Sequence, residues 1–157
     1  MDIRPEALTA TTFAPFGDVL DATGGFRLIN DGLCQRHHDR ATLDFGPEAR
    51  AGISIFNAEP RSLPYRFDLI ERHPQGSQAF LPMTRNPFLV IVATSPDHPP
   101  RAFLTNGAQG INLYRGTWHG VLTPLHAPGL FAVVDRIGPT PNLEEYRYPK
   151  AWTVLAP

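Results

Sequence analysis

Seventeen prolines and thirteen glycines are scattered along the 157 residues, and this restricts the fold more than any other feature. Proline fixes φ and removes a backbone donor, and glycine weakens a helix interior, so a chain interrupted this often has no room for long helices. Between the interruptions lie short runs rich in β-branched and aromatic residues. They are Gly52 to Phe56, Arg66 to His73, Gln78 to Pro82, Phe88 to Ala93, Ala102 to Leu104, Gln109 to Tyr114 and Leu130 to Asp135, each bounded by Pro, Gly, Asn or Asp. That spacing predicts an all-β antiparallel sandwich or barrel. Two short helices are expected, at Thr9 to Phe13 and Pro47 to Arg50. Pro96 to Pro100 reads as a turn. Leu143 to Tyr146 reads as a helical turn or an edge strand, and the tail from Glu144 as a segment free to wrap a neighbour.

The length suits a single domain, residues 1–157, with one main core. Hydrophobic residues make up 42% and charged ones 18%, which separates the chain from disordered and charged coiled-coil sequences. The net charge is −1 and no basic block occurs, so nucleic acid and anionic membrane surfaces are not expected partners. Lys150 is the one lysine, which leaves Schiff-base chemistry with a single, poorly placed candidate. The arginines suit a bidentate grip on a carboxylate. One cysteine, Cys34, allows no internal disulfide. The charged start of the chain and the shortness of the apolar run Phe88 to Ala93 lead us to expect a soluble, cytoplasmic protein.

Alternate residues of a strand share a face, so Glu71 and His73 point one way and Arg72 the other. The turn at Pro74-Gln-Gly-Ser77 then brings Gln78 to the head of the next run. A second histidine, His119, follows the glycine of Arg115-Gly-Thr-Trp-His119. These residues resemble the two motifs of the cupin barrel, a double-stranded, jelly-roll-like fold. Glu71 stands where a first histidine is usual, Gln78 where a glutamate is usual, and Tyr114 where a proline is usual. A carboxylate, an amide oxygen and two imidazoles can surround a divalent metal, although a neutral amide is a weaker ligand than an anion.

Longer strings narrow the resemblance. Phe13-Ala-Pro-Phe-Gly-Asp-Val19, Glu71-Arg-His-Pro-Gln-Gly-Ser-Gln-Ala-Phe80, Gln109-Gly-Ile-Asn112, Arg115-Gly-Thr-Trp-His119 and Val133-Val-Asp-Arg136 are together similar to the ureidoglycolate lyase family, over nearly the whole chain. The resemblance implies a cupin-fold homodimer that splits (S)-ureidoglycolate, a small-molecule substrate, into glyoxylate and urea in allantoin and purine breakdown. It also implies a divalent metal, nickel in some members. An amidohydrolase releasing ammonia from the same substrate, and a silent barrel that binds a small carboxylate, are the alternatives.

Such a reaction needs a grip on the carboxylate, a base for the hydroxyl proton and an acid for the departing nitrogen. His73 and His119 are candidates for metal ligands or for the proton-transfer pair, and Glu71 for a ligand or a nearby base. Arg115, on the parity of His119 if that segment is extended, and Arg36, in a polar loop, are candidates for the carboxylate. Arg72 is disfavoured by parity. Asp135 shares parity with Phe131 and Val133, so an inward carboxylate there would orient a histidine or bind the urea N–H groups. Trp118 reads as packing, and His37, His38, His98 and His126 as ordinary polar residues.

Overall fold

The computed structural model describes residues 1–157. In chain order the elements are β1 (Asp2–Ile3), β2 (Pro5–Ala7), α1 (Ala10–Phe13), β3 (Gly17–Leu20), β4 (Arg27–Ile29), β5 (Cys34–Arg36), β6 (Arg50–Asn57), β7 (Tyr65–Arg72), β8 (Gln78–Pro82), β9 (Phe88–Ala93), β10 (Arg101–Leu104), β11 (Gly110–Leu113), β12 (Trp118–His119), β13 (Thr123–Pro124), β14 (Leu130–Ile137) and β15 (Glu144–Val154). The all-β expectation holds, and each of the seven β-rich runs falls on a strand. The helix at α1 is one turn long. Thr9 caps it, its side chain accepting from the Thr12 N–H, and Pro15 follows its end.

An eight-stranded sheet runs β1-β15-β7-β12-β9-β10-β2, with β13 also on β9, and a five-stranded sheet runs β3-β11-β8-β14-β6. Strands β4 and β5 form a separate hairpin. The two large sheets enclose a core to which Phe88, Val90, Val92 and Phe103 come from one side and Phe80, Ile111, Leu113, Phe131 and Val133 from the other. The result is a barrel-shaped arrangement of the cupin type.

Strand β9 explains why its sequence is apolar without alternation. Phe88, Val90 and Val92 face the barrel interior, whereas Leu89, Ile91 and Ala93 join a second apolar cluster with Phe67, Ile70 and Tyr148 on the opposite face. A strand buried on both faces has no polar side to show. Close packing also dictates Gly17, where a Cβ would lie 2.1 Å from the Asn112 carbonyl oxygen.

One local expectation fails. Pro47 and Glu48 form a turn and Arg50 begins β6, so there is no helix at Pro47 to Arg50. Leu143 to Tyr146 takes the edge-strand alternative: β15 starts at Glu144, and Glu144 to Arg147 pair with β7 on one side only, β1 covering β15 at Thr153 and Val154. A register shift between Arg147 and Trp152 carries this strand past Pro149. No helix is long and apolar enough to cross a membrane.

Candidate active site

Strand register builds the site. His119 on β12 is paired with Val92 on one side and Glu71 on the other, and Glu71 is paired in turn with Glu145 of β15. Directly paired residues share a face, so His119 and Glu71 look inward with Val92. Arg72, one residue on, looks outward and lies with its guanidinium carbon 4.9 Å from the centre of the Trp118 ring, paired to Glu144 at 2.6 Å. Trp118 packs against the second apolar cluster. His73 stands just past the end of β7. Gly116, at φ +78 in a turn that glycine adopts at little cost, donates its N–H to the His73 carbonyl at 2.9 Å. That bond ties the two histidine-bearing segments together.

The outcome is a cluster of Glu71, His73 and His119 whose ligand atoms lie within 4.8 Å of one another. The two imidazole rings are 5.2 Å apart between centres. Each ring has its Nδ1 against a backbone carbonyl, His73 on Asn142 at 2.7 Å and His119 on Gly120 at 2.9 Å. A carbonyl only accepts, so both Nδ1 atoms donate, and it is Nε2 that holds the lone pair of the neutral ring. Both Nε2 atoms are buried and have no protein partner. Two inward lone pairs, each fixed by a carbonyl behind the ring, and a neighbouring carboxylate make the two-histidine, one-carboxylate donor set that suits a divalent transition metal with open positions. These residues fit such an ion.

The cluster is graded in depth. His119 is 4% exposed and forms part of the wall of a cavity of about 20 Å³ with Phe80, Phe88, Val90 and Leu113. Glu71 and His73 are half-buried. Burial pushes the Glu71 carboxyl up; the nearby His73 opposes this and Glu145, its neighbour across the sheet, adds to it. Burial also pushes the His119 imidazole down to about 4, with His73 adding and the bond to Gly120 opposing. The ring is neutral at pH 7.

This has a consequence for stability. The unfolded chain takes up a proton at the ordinary histidine value of ~6.5, whereas the folded protein resists until about 4. Above pH ~6.5 the group costs nothing, and as the pH falls from there towards 4 the folded state loses on the order of 3 kcal/mol. His119→Gln, which cannot titrate, is expected to flatten this part of the profile. Urea melts of chelator-treated protein between pH ~7 and ~4.5 make the comparison, and equal slopes in the two proteins contradict it.

The remaining candidates sit as follows. Gln78 is 6% exposed and faces inward, like Phe80. Asp135 does not touch a histidine in this structure; it accepts from Gln78 Nε2 at 3.1 Å. Arg115 lies in a turn rather than a strand, so the parity argument that linked it to His119 does not apply. Its Nε donates to the Pro74 carbonyl at 2.8 Å, and it borders a hollow with Arg136 and Gln75. Arg36 is exposed on the β4–β5 hairpin, in a surface hollow with Phe26, Arg27 and His38. Asn142 escaped sequence reading. Its carbonyl holds His73 and its side chain accepts from the Gln75 N–H at 2.7 Å, and no local pattern marks it.

A family model for ureidoglycolate lyase matches residues 1–155. The chain belongs to the ureidoglycolate lyase family. Within this family it is 61% identical to the ureidoglycolate lyase of Rhodobacter capsulatus over 148 residues, which are 92% of this chain and 92% of the relative. It is 48% identical to the ureidoglycolate lyase of Chelativorans sp., with 99% and 97% covered. The ureidoglycolate lyase of Pseudomonas aeruginosa is 47% identical, with 92% and 89% covered. The family likeness thus spans both strands that carry the cluster and the segments that brace them.

Proposed function

We propose that this protein is a carbon–nitrogen lyase that splits ureidoglycolate into glyoxylate and urea, and that Glu71, His73 and His119 form its centre. The observation that carries the assignment of the centre is the pair of buried, unpartnered Nε2 atoms facing a half-buried carboxylate. Family membership supplies the substrate.

The reaction is the collapse of a carbinolamide. The hydroxyl loses its proton as C=O forms, the C–N bond breaks, and the electron pair goes to the ureido nitrogen, which takes up a proton. No proton is gained or lost overall. Glu71, the carboxylate of the cluster, suits the carrier's task. One of its oxygens takes the hydroxyl proton and delivers it to the leaving nitrogen. His73 and His119, held through Nδ1 by Asn142 and Gly120, turn their Nε2 atoms to the same side.

Glu71, His73 and His119 would hold a divalent ion, and nickel accords with an imidazole-rich set. When bound, such an ion supplies Lewis-acid polarisation of the substrate's oxygens. For the substrate carboxylate, Arg115 is better placed than Arg36, since it is braced on Pro74, next to His73. A homodimer is also part of this reading. Ile53 and Ile55, 75% and 59% exposed on the edge strand β6, form an apolar face that a second copy would cover; light scattering that gives the mass of one chain would dismiss it.

The test is product identity. Purified protein given ureidoglycolate is expected to release urea and glyoxylate in equal amounts. Ammonia in place of urea would favour an amidohydrolase, and ligand-induced stabilisation without turnover a binding protein.

A further inference from the structure

Gln78 heads β8 and faces the barrel interior, 6% exposed. The register that pairs Val134 with Ala79 and Val133 with Phe80 places Asp135 across from Gln78 on β14, on the inward side shared by Phe131 and Val133. The contact between them has a fixed polarity. Gln78 Nε2 donates to Asp135 Oδ2 at 3.1 Å, and a carboxylate has only acceptors. Turning the amide round would set its oxygen against the carboxylate, so Asp135 decides which end of Gln78 is left over. That end is Oε1, which is buried and has no protein partner.

On the interior side, then, Gln78 Oε1, His73 Nε2 and His119 Nε2 are all unpartnered acceptors, with the Glu71 carboxylate beside the histidines. A buried acceptor without a donor is costly, and it rewards a ligand that brings one. Leu113, the β11 partner of Gln78, and Phe80 on its own face both line the cavity that His119 borders, so Gln78 flanks that cavity on the inward side of β8.

We propose that Gln78 Oε1 accepts an N–H of the substrate's ureido group, and that Asp135 is a positioning residue that keeps this oxygen turned inward. The inference rests on the lyase reading and adds a basis for selectivity. A 2-hydroxy acid without N–H groups would leave Oε1 unpaired, the kind of mismatch by which hydrogen-bonding sites reject analogues.

The experiment measures KM and kcat for ureidoglycolate, bound metal, and thermal melting for the wild type, Gln78→Met, Asp135→Asn and the double variant. Removing the acceptor is expected to raise KM about tenfold with kcat within about threefold, since the bond is made equally in the ground and transition states. Asp135→Asn, which frees the amide to turn, is expected to raise KM about three- to tenfold alone and to add nothing in the Gln78→Met background. Metal content is expected to stay equal in all four. An unchanged KM in Gln78→Met, an Asp135→Asn effect that persists in the double variant, or loss of metal from Gln78→Met would each overturn the proposal, the last by making Gln78 a ligand. If Asp135→Asn fails to fold, Gln78→Met alone decides. A wild type that makes no urea and glyoxylate overturns the lyase reading and this proposal together, whereas normal wild-type turnover with unaltered variants overturns this proposal only.

Discussion

Alanine at His119 or at His73 is expected to lower turnover of ureidoglycolate by about 10²–10⁴-fold, the range for losing a positioned proton-handling or ligating group. The reason lies in how each ring is held. Nδ1 is committed to a backbone carbonyl, Asn142 for one and Gly120 for the other, so the single free nitrogen of each ring is the buried one. Neither ring has another use for that atom in the fold, while alanine also removes the Nδ1 bond to the carbonyl. His73 is half-buried, so His73→Ala is expected to remain folded with a loss of about 1 kcal/mol. His119 is nearly inaccessible, and His119→Gln accompanies His119→Ala as the variant that keeps its volume. His98→Ala is the comparison; that ring is exposed and bonds Ser95 across a turn, and near-wild-type turnover is expected. Full activity in either His73→Ala or His119→Ala removes that residue from the centre.

The second large effect is on stability. Phe103 is completely buried at the middle of β10, edge-on to Phe13 at 5.4 Å between ring centres and tilted against Phe16 at 6.2 Å. Phe103→Ala is expected to cost about 4 kcal/mol, because the lost transfer energy is joined by a cavity that the rings of Phe13 and Phe16 cannot close. Chemical denaturation measures it, and a loss under ~1 kcal/mol would mean that α1 and the following turn collapse into the space. The same contact explains why a one-turn helix survives. Its four residues are too few to be stable by themselves, and Phe13 anchors them to the barrel.

Much of this was readable from residues alone. Strand parity separates Glu71 from Arg72, and the structure places the first with His119 and the second over Trp118. Parity also turns Asp135 inward. It misleads at Arg115, because Gly116 takes a positive φ and makes a turn where an extended segment was assumed. The tail was opaque for a different reason. Its sequence mixes charge, aromatics and Pro149, and its strand character comes from pairing with β7, joined by β1 at Thr153 and Val154, rather than from any pattern of its own. Asn142 was invisible since its role depends on a bond to a residue 69 positions away. The Gln78–Asp135 contact lay between, as each residue was marked as inward but the polarity of their bond needed coordinates.

The most direct test of the central claim follows urea and glyoxylate together while purified protein turns over ureidoglycolate, first as isolated, then after complete chelation, then after a divalent metal is restored. The account predicts equal release of both products, lost on chelation and recovered on metal return in the wild type, with no recovery in His73→Ala or His119→Ala. Release that continues undiminished after all metal is gone would contradict a metal centre at Glu71, His73 and His119, and the absence of urea under every condition would contradict the lyase itself.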